Sequence, residues 1–282
     1  MNQFAHISRF EITASLATSG KTFIEDSFFT SPFKIMKPFA QEDGSIAVFL
    51  QSASPGILED DSQIHSIKVK RGAGLEIRSQ SFEKIFKMDE GKSAERKITA
   101  EIEENATLIY RPLPCIPYSQ SNFTSSTEIN LKESSRLIYE DCICAGRCAH
   151  GEVYDFTRYK NLIKIYREGY LIFCDNMFLE GSDGKNHPER KAIIQGKTMF
   201  SKYTHCGGMM IFGFPVDVKK IRQILCLEEK LLYTEESTKK DSISKIQVEA
   251  SENDFGDIII RCLANSAEII QKLFEQVRNQ LK

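Results

Sequence analysis

The sequence predicts a mainly β protein, organised as a single large domain over residues 1–282, and three observations carry that expectation. Short β-branched and aromatic segments recur between polar turns from Ser8 onward, in the two-residue alternation of half-buried strands. Phe is plentiful at 19 and Tyr at 9, while Trp is absent, a supply of apolar side chains that leans towards sheet. Helical spacing appears only late, first in Val218, Ile221, Ile224, Leu225 and Leu232, then in Ile269, Leu273 and Val277 with Ile270 and Phe274 beside them. Two α-helices near the C-terminus are therefore expected.

Taken in order, Phe10, Ile12 and Ala14 alternate with Glu11 and Thr13, and a second extended run follows the turn at Ser19-Gly20; together they predict an opening hairpin. Residues 28–39 are aromatic but broken by Pro32 and Pro38, which suits an irregular connection. Strands follow over 46–51, 64–69 and 75–80, the last two joined at Arg71-Gly72-Ala73-Gly74 as a hairpin. Gly72 and Gly74 lack the following Lys-Ser/Thr pair of a phosphate cradle. Residues 97–110 predict a hairpin about Glu104-Asn105, and another turns at 132–134. Between them, Pro112, Pro114 and Pro117 fix an extended crossover. Residues 154–165 and 169–178 continue the extended pattern, 180–190 predicts an exposed loop, and 193–200 and 209–214 predict further strands. Asp217 is placed to cap the first helix. A charged connector over 234–241 and strands over 243–248 and 257–263 precede the last helix, expected at 265–281. No fixed-period repeat is visible.

A formal charge of −2, from 37 basic against 39 acidic residues, gives no electrostatic reason to seek nucleic acid or anionic membrane. No apolar run approaches the roughly 20 residues that span a bilayer. Residues Met1 to Arg9 lack the features of a secretory signal, and eight cysteines in such a chain are expected as thiols, which together predict a cytoplasmic protein.

The chemistry concentrates between Tyr139 and Glu152. In an extended strand Ile138, Glu140, Cys142 and Cys144 share one face, and Tyr139, Asp141 and Ile143 the other. A carboxylate among apolar neighbours must meet a cation, a donor or water, because an unpaired buried charge is costly. Cys142, Cys144, Cys148 and His150 could converge on a metal, but they lack the paired Cys-x2-Cys knuckles of a zinc site, and buried thiols explain them better. His205-Cys206-Gly207-Gly208 could be drawn as a thiolate site with backbone donors, although a turn explains its glycines equally well. Glu59, Asp60, Asp61, Glu140, Asp141 and Glu152 are hard oxygen ligands suited to a loosely held divalent ion, or else separate solvated acids, one of them paired with Arg147. The residue pattern leaves these alternatives open.

Four stretches add a resemblance. Ser54-Pro-Gly-Ile-Leu-Glu-Asp-Asp61 resembles a glycine-rich segment ending in Gly-Asp, and Arg78-Ser-Gln-Ser-Phe-Glu-Lys-Ile-Phe86 a Gln-x-x-x-Lys strand. Leu108-Ile-Tyr-Arg-Pro-Leu-Pro-Cys-Ile-Pro-Tyr118 resembles a Pro-x-Pro-x-Ile-Pro segment, and Gly146-Arg-Cys-Ala-His-Gly-Glu152 a Gly-Arg-x-x-x-Gly-Glu signature. In this order and spacing they resemble the urease accessory proteins of the UreD/UreH family, in its UreH form, over nearly the whole chain. The resemblance implies a β-helix-like scaffold of stacked strand layers and no catalytic activity. It implies a partner, UreF, that dimerises the assembly and recruits the GTPase UreG, docking on the urease apoenzyme, and transient passage of nickel through a water-filled tunnel with no tightly bound cofactor. By position it carries over Asp61, Glu140 and Glu152 as acids for nickel passage, and Gln80, Lys84, Gly146, Arg147 and Gly151 as motif residues. Pro55, Glu59 and Asp60 stand where the family has glycines, and Cys142, Cys144 and Cys148 are outside its pattern. A pure interaction scaffold, with nickel moving elsewhere, is the alternative.

Overall fold

The computed structural model describes residues 7–234 and 246–281; the expected connector at 234–241 and the start of the strand expected at 243 fall almost wholly outside them. The chain opens with the hairpin β1 (Ile7–Leu16) and β2 (Thr22–Phe29), as its alternation predicts. Two short strands, β3 (Phe33–Ile35) and β4 (Phe39–Ala40), lead to β5 (Ile46–Ser52). Then come β6 (Ser62–Val69), β7 (Gly74–Ser79), β8 (Glu83–Ile85), β9 (Ala94–Ile102) and β10 (Thr107–Arg111). They are followed by β11 (Cys115–Pro117), β12 (Asn122–Leu131), β13 (Arg136–Cys144), β14 (Arg158–Arg167) and β15 (Tyr170–Glu180). The remainder is α1 (Pro188–Ile194), β16 (His205–Phe212), α2 (Val218–Thr234), β17 (Ile246–Glu252), β18 (Ile258–Ala264) and α3 (Ala267–Asn279).

From β5 to β14 consecutive long strands change sheets, so that each pairs in parallel with its equivalent one coil away. Sheet A runs β15-β14-β12-β9-β6-β1-β2, and sheet B runs β17-β18-β16-β13-β10-β7-β5-β3. Parallel neighbours need a crossover, and here the strand in the opposite sheet supplies it. Ile57, β8 and β11 stack as a short third side of the coil. The layers are those of a β-solenoid. Three expected hairpins are therefore corrected: the bends at 71–74, 104–105 and 132–134 are corners between sheets, each strand pair parting instead of pairing. Gly72 (φ 71°) and Asn105 (φ 57°) supply the left-handed backbone that a corner needs as much as a hairpin does, so local sequence cannot separate the two. Each corner buries a small residue, Ala73, Ala106 and Ser135 in turn, and Thr107 and Arg136 donate backbone N–H groups to Ala73 and Ala106 across the stack, both at 2.9 Å.

The expected strand at 193–200 is also corrected. Pro188 opens α1, which Gly196 follows within two residues, and Ile194 and Phe200 are buried as isolated anchors, not as an alternating row. With α1, the described residues contain three α-helices, beside a single 3-10 turn at Cys148–His150. Asp217 caps α2 as expected, its Oδ1 accepting the Lys219 N–H at 2.8 Å.

Apolar columns crossing the sheets fill the space between them. Ile46, Leu75, Leu108, Leu137 and Phe212 form one in sheet B; Ile12, Ile67, Ala100, Ile129 and Ile165 form one in sheet A. The other face of sheet B meets α2 and α3 through Ile138, Met209, Ile211, Ile221 and Phe274. That second core covers the half of sheet B nearest β17 and reaches Ile109 of β10, and beyond it Arg78 and Arg111 line a cleft beside α3.

Candidate functional site

Strand alternation along β13 sends Tyr139 and Asp141 between the sheets and Ile138, Glu140 and Cys142 towards the helices. Glu140 is buried on the helix side and accepts a hydrogen bond from Arg278 of α3. Burial pushes its carboxyl upward, against the opposing pull of Arg278 and Arg111. It borders a cleft of about 370 Å³ that Gln80, Arg78, Arg111, Leu113 and Phe274 also line.

Asp61 sits elsewhere, at the start of β6, where its Oδ2 accepts the Leu58 N–H at 2.8 Å and partial burial raises its carboxyl. Glu152 is in a third environment. Arg147 grips it through two hydrogen bonds, holding its carboxyl down, while the same guanidinium lies 4.2 Å from the centre of the Tyr118 ring. Gly146 makes that loop possible: at φ 131° it lies so close to Glu152 that a Cβ would meet the Glu152 carbonyl oxygen at 2.8 Å. Gly151 (φ 78°) ends the single turn at Cys148–His150. Lys84 is exposed on β8, its carbonyl accepting from Ile57. The three expected nickel acids are thus held apart on different partners.

All eight cysteines are free, and burial pushes Cys144 and Cys206 up to about 12, far from a thiolate at neutral pH. Among the described residues no group of three or more His, Cys, Asp or Glu side chains is placed to hold a metal ion. Gly207 and Gly208 lie inside β16, not at a turn. A Cβ on Gly207 would meet Ile270 of α3 at 2.7 Å, and one on Gly208 would meet Asp141 Oδ1 at 2.5 Å. The pair spaces the sheet from what lies on each side.

Between the sheets the structure assembles a group that motif reading does not anticipate. Ser8, Gln63, Arg96, Ser125 and Asn161 occupy one register position on five neighbouring strands of sheet A, and all five are buried. Gln63 accepts two hydrogen bonds from Arg96, which also pairs with Glu83 at 2.5 Å. At the other end Asn161 donates to Asp141 at 3.2 Å, and Arg261 of β18 reaches Asp175 of β15 at 2.6 Å, bridging the sheets. Asp141 Oδ1 is buried without a hydrogen-bond partner, and burial, helped by Asp175 and opposed by Arg261, raises Asp141 to about 6. Beside the row, His65 sits edge-on to Phe10 and Phe33 with both ring nitrogens unpartnered, and burial holds its pKa well below the usual range. A core normally made of apolar columns thus contains one polar one. Its sequence signal is a polar residue once per coil, but the coil varies: Gln63 and Arg96 are 33 residues apart, whereas Asn105 and Ser134, at equivalent corners, are 29 apart. An uneven period hides the column.

Comparison with known proteins adds a finding independent of this geometry. The profile of the UreD urease accessory protein family matches residues 8–282. Among similar proteins, the urease accessory protein UreH of Helicobacter hepaticus is 36% identical over 268 residues, covering 95% of this chain and 96% of that protein. UreH of Helicobacter pylori strain G27 is 33% identical over 229 residues, 81% of this chain and 82% of that protein. The urease accessory protein UreD of Acetivibrio thermocellus is 32% identical over 284 residues, 99% of each.

Proposed function

The chain belongs to the UreD urease accessory protein family, which gives it a role in urease maturation, and from that premise we propose that it is a non-enzymatic chaperone for nickel insertion. It acts in the cytoplasm in a hetero-oligomer with UreF, dimerised through that partner, and UreF brings the GTPase UreG to it. The assembly delivers nickel to the urease apoenzyme. The observation that carries nickel passage through this subunit is the acidic end of the polar column, where Asn161 meets Asp141 and Asp175 between the sheets and Asp141 Oδ1 is buried without a hydrogen-bond partner. Carboxylates and amide oxygens bind Ni(II) weakly enough to release it, which a conduit requires. Asp61, Glu140 and Glu152 serve as further acids on the way, each first giving up its present donor: the Leu58 N–H, Arg278 or Arg147.

A second reading, an interaction scaffold with nickel moving elsewhere, is favoured by one feature: Glu140 and Glu152 are already neutralised by arginines. The test pairs Glu140→Leu with Arg278→Leu, so that no charge is left unpaired, and sets that variant beside Asp141→Asn. Each purified protein is combined with its partners and apo-urease. A conduit predicts intact complexes whose urease activation and nickel incorporation fall several-fold. Unchanged nickel incorporation in both variants removes the conduit and leaves the scaffold.

A further inference from the structure

The acidic end of the polar column carries a cation of its own. Asp141, Gly208 and Arg261 are register neighbours on β13, β16 and β18, adjacent strands of sheet B. Asp175 faces them from β15 of sheet A, on the side it shares with the buried Ile163 of β14. The Arg261 guanidinium divides its two ends between the carboxylates. Nη2 reaches Asp175 Oδ2 at 2.6 Å, while Nη1 lies over Gly208, where a Cβ would be 3.3 Å from it and 2.5 Å from the unpartnered Asp141 Oδ1. Glycine at 208 thus lets the two charges face each other. Arg261 accordingly pulls the Asp141 carboxyl down, against burial and Asp175, which both push it up.

Two negative charges against one positive leave the group short of a full counter-charge, and the guanidinium occupies the place between the carboxylates that a bridging divalent ion would take. The other groups there, Asp141 Oδ1, the Asp175 carboxylate and the Asn161 side-chain amide, offer the hard oxygens that such an ion accepts. Arg261 is also placed to leave. Asp141 Oδ1 and Asn161 are buried, but the Arg261 side chain is 37% exposed, because sheet A ends at β15 while sheet B continues to β17. Its register neighbour on β17 is Glu249, an exposed carboxylate that holds Arg222 at 3.1 Å. Directly opposed side chains on antiparallel strands have Cβ atoms about 5 Å apart, so one guanidinium has two carboxylate seats, Asp175 inside and Glu249 outside. An exposed pair such as Arg222–Glu249 opposes that exchange only weakly.

We propose that Arg261 is a resident counter-ion that gates this point: seated on Asp175 it fills the divalent-ion position, and by turning to Glu249 it opens that position to nickel, then returns to displace the ion. The inference rests on the reading of the acidic end as part of a nickel path, and it supplies what keeps the ion from being trapped there. Two bare carboxylates facing each other would hold a divalent ion. A tethered guanidinium competes with it for the same oxygens throughout. Arg261 is therefore a positioning residue, acting through Asp141 and Asp175.

The experiment measures nickel binding to the full-length chain by isothermal titration calorimetry, with the metal retained after gel filtration measured by mass spectrometry. Arg261→Gln leaves the carboxylates uncompensated and is expected to tighten nickel binding about tenfold or more; adding Asp175→Asn to it should abolish that gain. Arg261→Lys has a single ammonium that can serve Asp175 or Asp141 but not both, and is expected to tighten binding about threefold. Circular dichroism and melting confirm that each variant is folded, and if Arg261→Gln fails to fold, the Arg261→Lys measurement decides alone. Nickel affinity of folded Arg261→Gln no tighter than wild type, or a gain that persists with Asp175→Asn, overturns the proposal, as does unchanged affinity of Arg261→Lys where that variant decides. These measurements need neither partners nor apo-urease. The passage reading falls on a different result, unchanged nickel incorporation into urease with Asp141→Asn.

Discussion

At the scale of single residues, the side chains that matter are set by which face of a strand they occupy. Adjacent carboxylates in β13 meet opposite fates, Glu140 under Arg278 and Asp141 beside Asn161 and an unfilled acceptor position. Asp141 therefore has a pH signature. Its folded-state pKa, raised to about 6, lies above the ordinary carboxylate value of about 3.9, so the native state holds the extra proton. The resulting destabilisation is absent below about pH 4, grows as pH rises and is complete above about pH 6. Asp141→Asn should then raise stability by roughly 2–3 kcal/mol at pH 7.5 and by little at pH 4, read from urea midpoints. An equal gain at both pH values would contradict this account.

At the scale of elements, α3 joins the outer core to the site, since it buries Ile270, Leu273, Phe274 and Val277 on sheet B and carries Arg278 to Glu140. Ser266 caps it by accepting the Glu268 N–H at 3.2 Å, so Ser266→Ala should cost about 1 kcal/mol. Phe274→Ala leaves a cavity against Gly207 and should cost about 3–5 kcal/mol. Thermal melts of both variants check the ordering, and a Ser266→Ala loss as large as that of Phe274→Ala would show that the helix is held by its cap and not by packing. The apolar stripe of α3 and the N-cap of α2 are legible in the sequence because both are local, resting on residues within one or two turns. The corners at 71–74, 104–105 and 132–134 are not. A hairpin and a corner use the same small and left-handed residues, and only the partner strand, some 30 residues away, distinguishes them.

At the scale of the whole molecule, residues 1–282 are expected to behave as one domain, because β13 contributes to the inter-sheet core through Tyr139 and to the helix-facing core through Ile138. Unfolding followed by far-UV circular dichroism and by tyrosine fluorescence should therefore give coincident single transitions. Two separated transitions would divide the molecule. The sequence by itself determined the strand-rich class, the late helices, the family resemblance and the Arg147–Glu152 signature, because alternation, helical period and short motifs are written in neighbouring residues. Only the tertiary structure decided that the strands coil instead of folding back in successive hairpins. It alone aligned Ser8, Gln63, Arg96, Ser125 and Asn161 in one buried column and brought Arg278 onto Glu140, 138 positions away. The physical reason is that register between distant strands is chosen by the packing of whole faces, and no short stretch of chain contains that information.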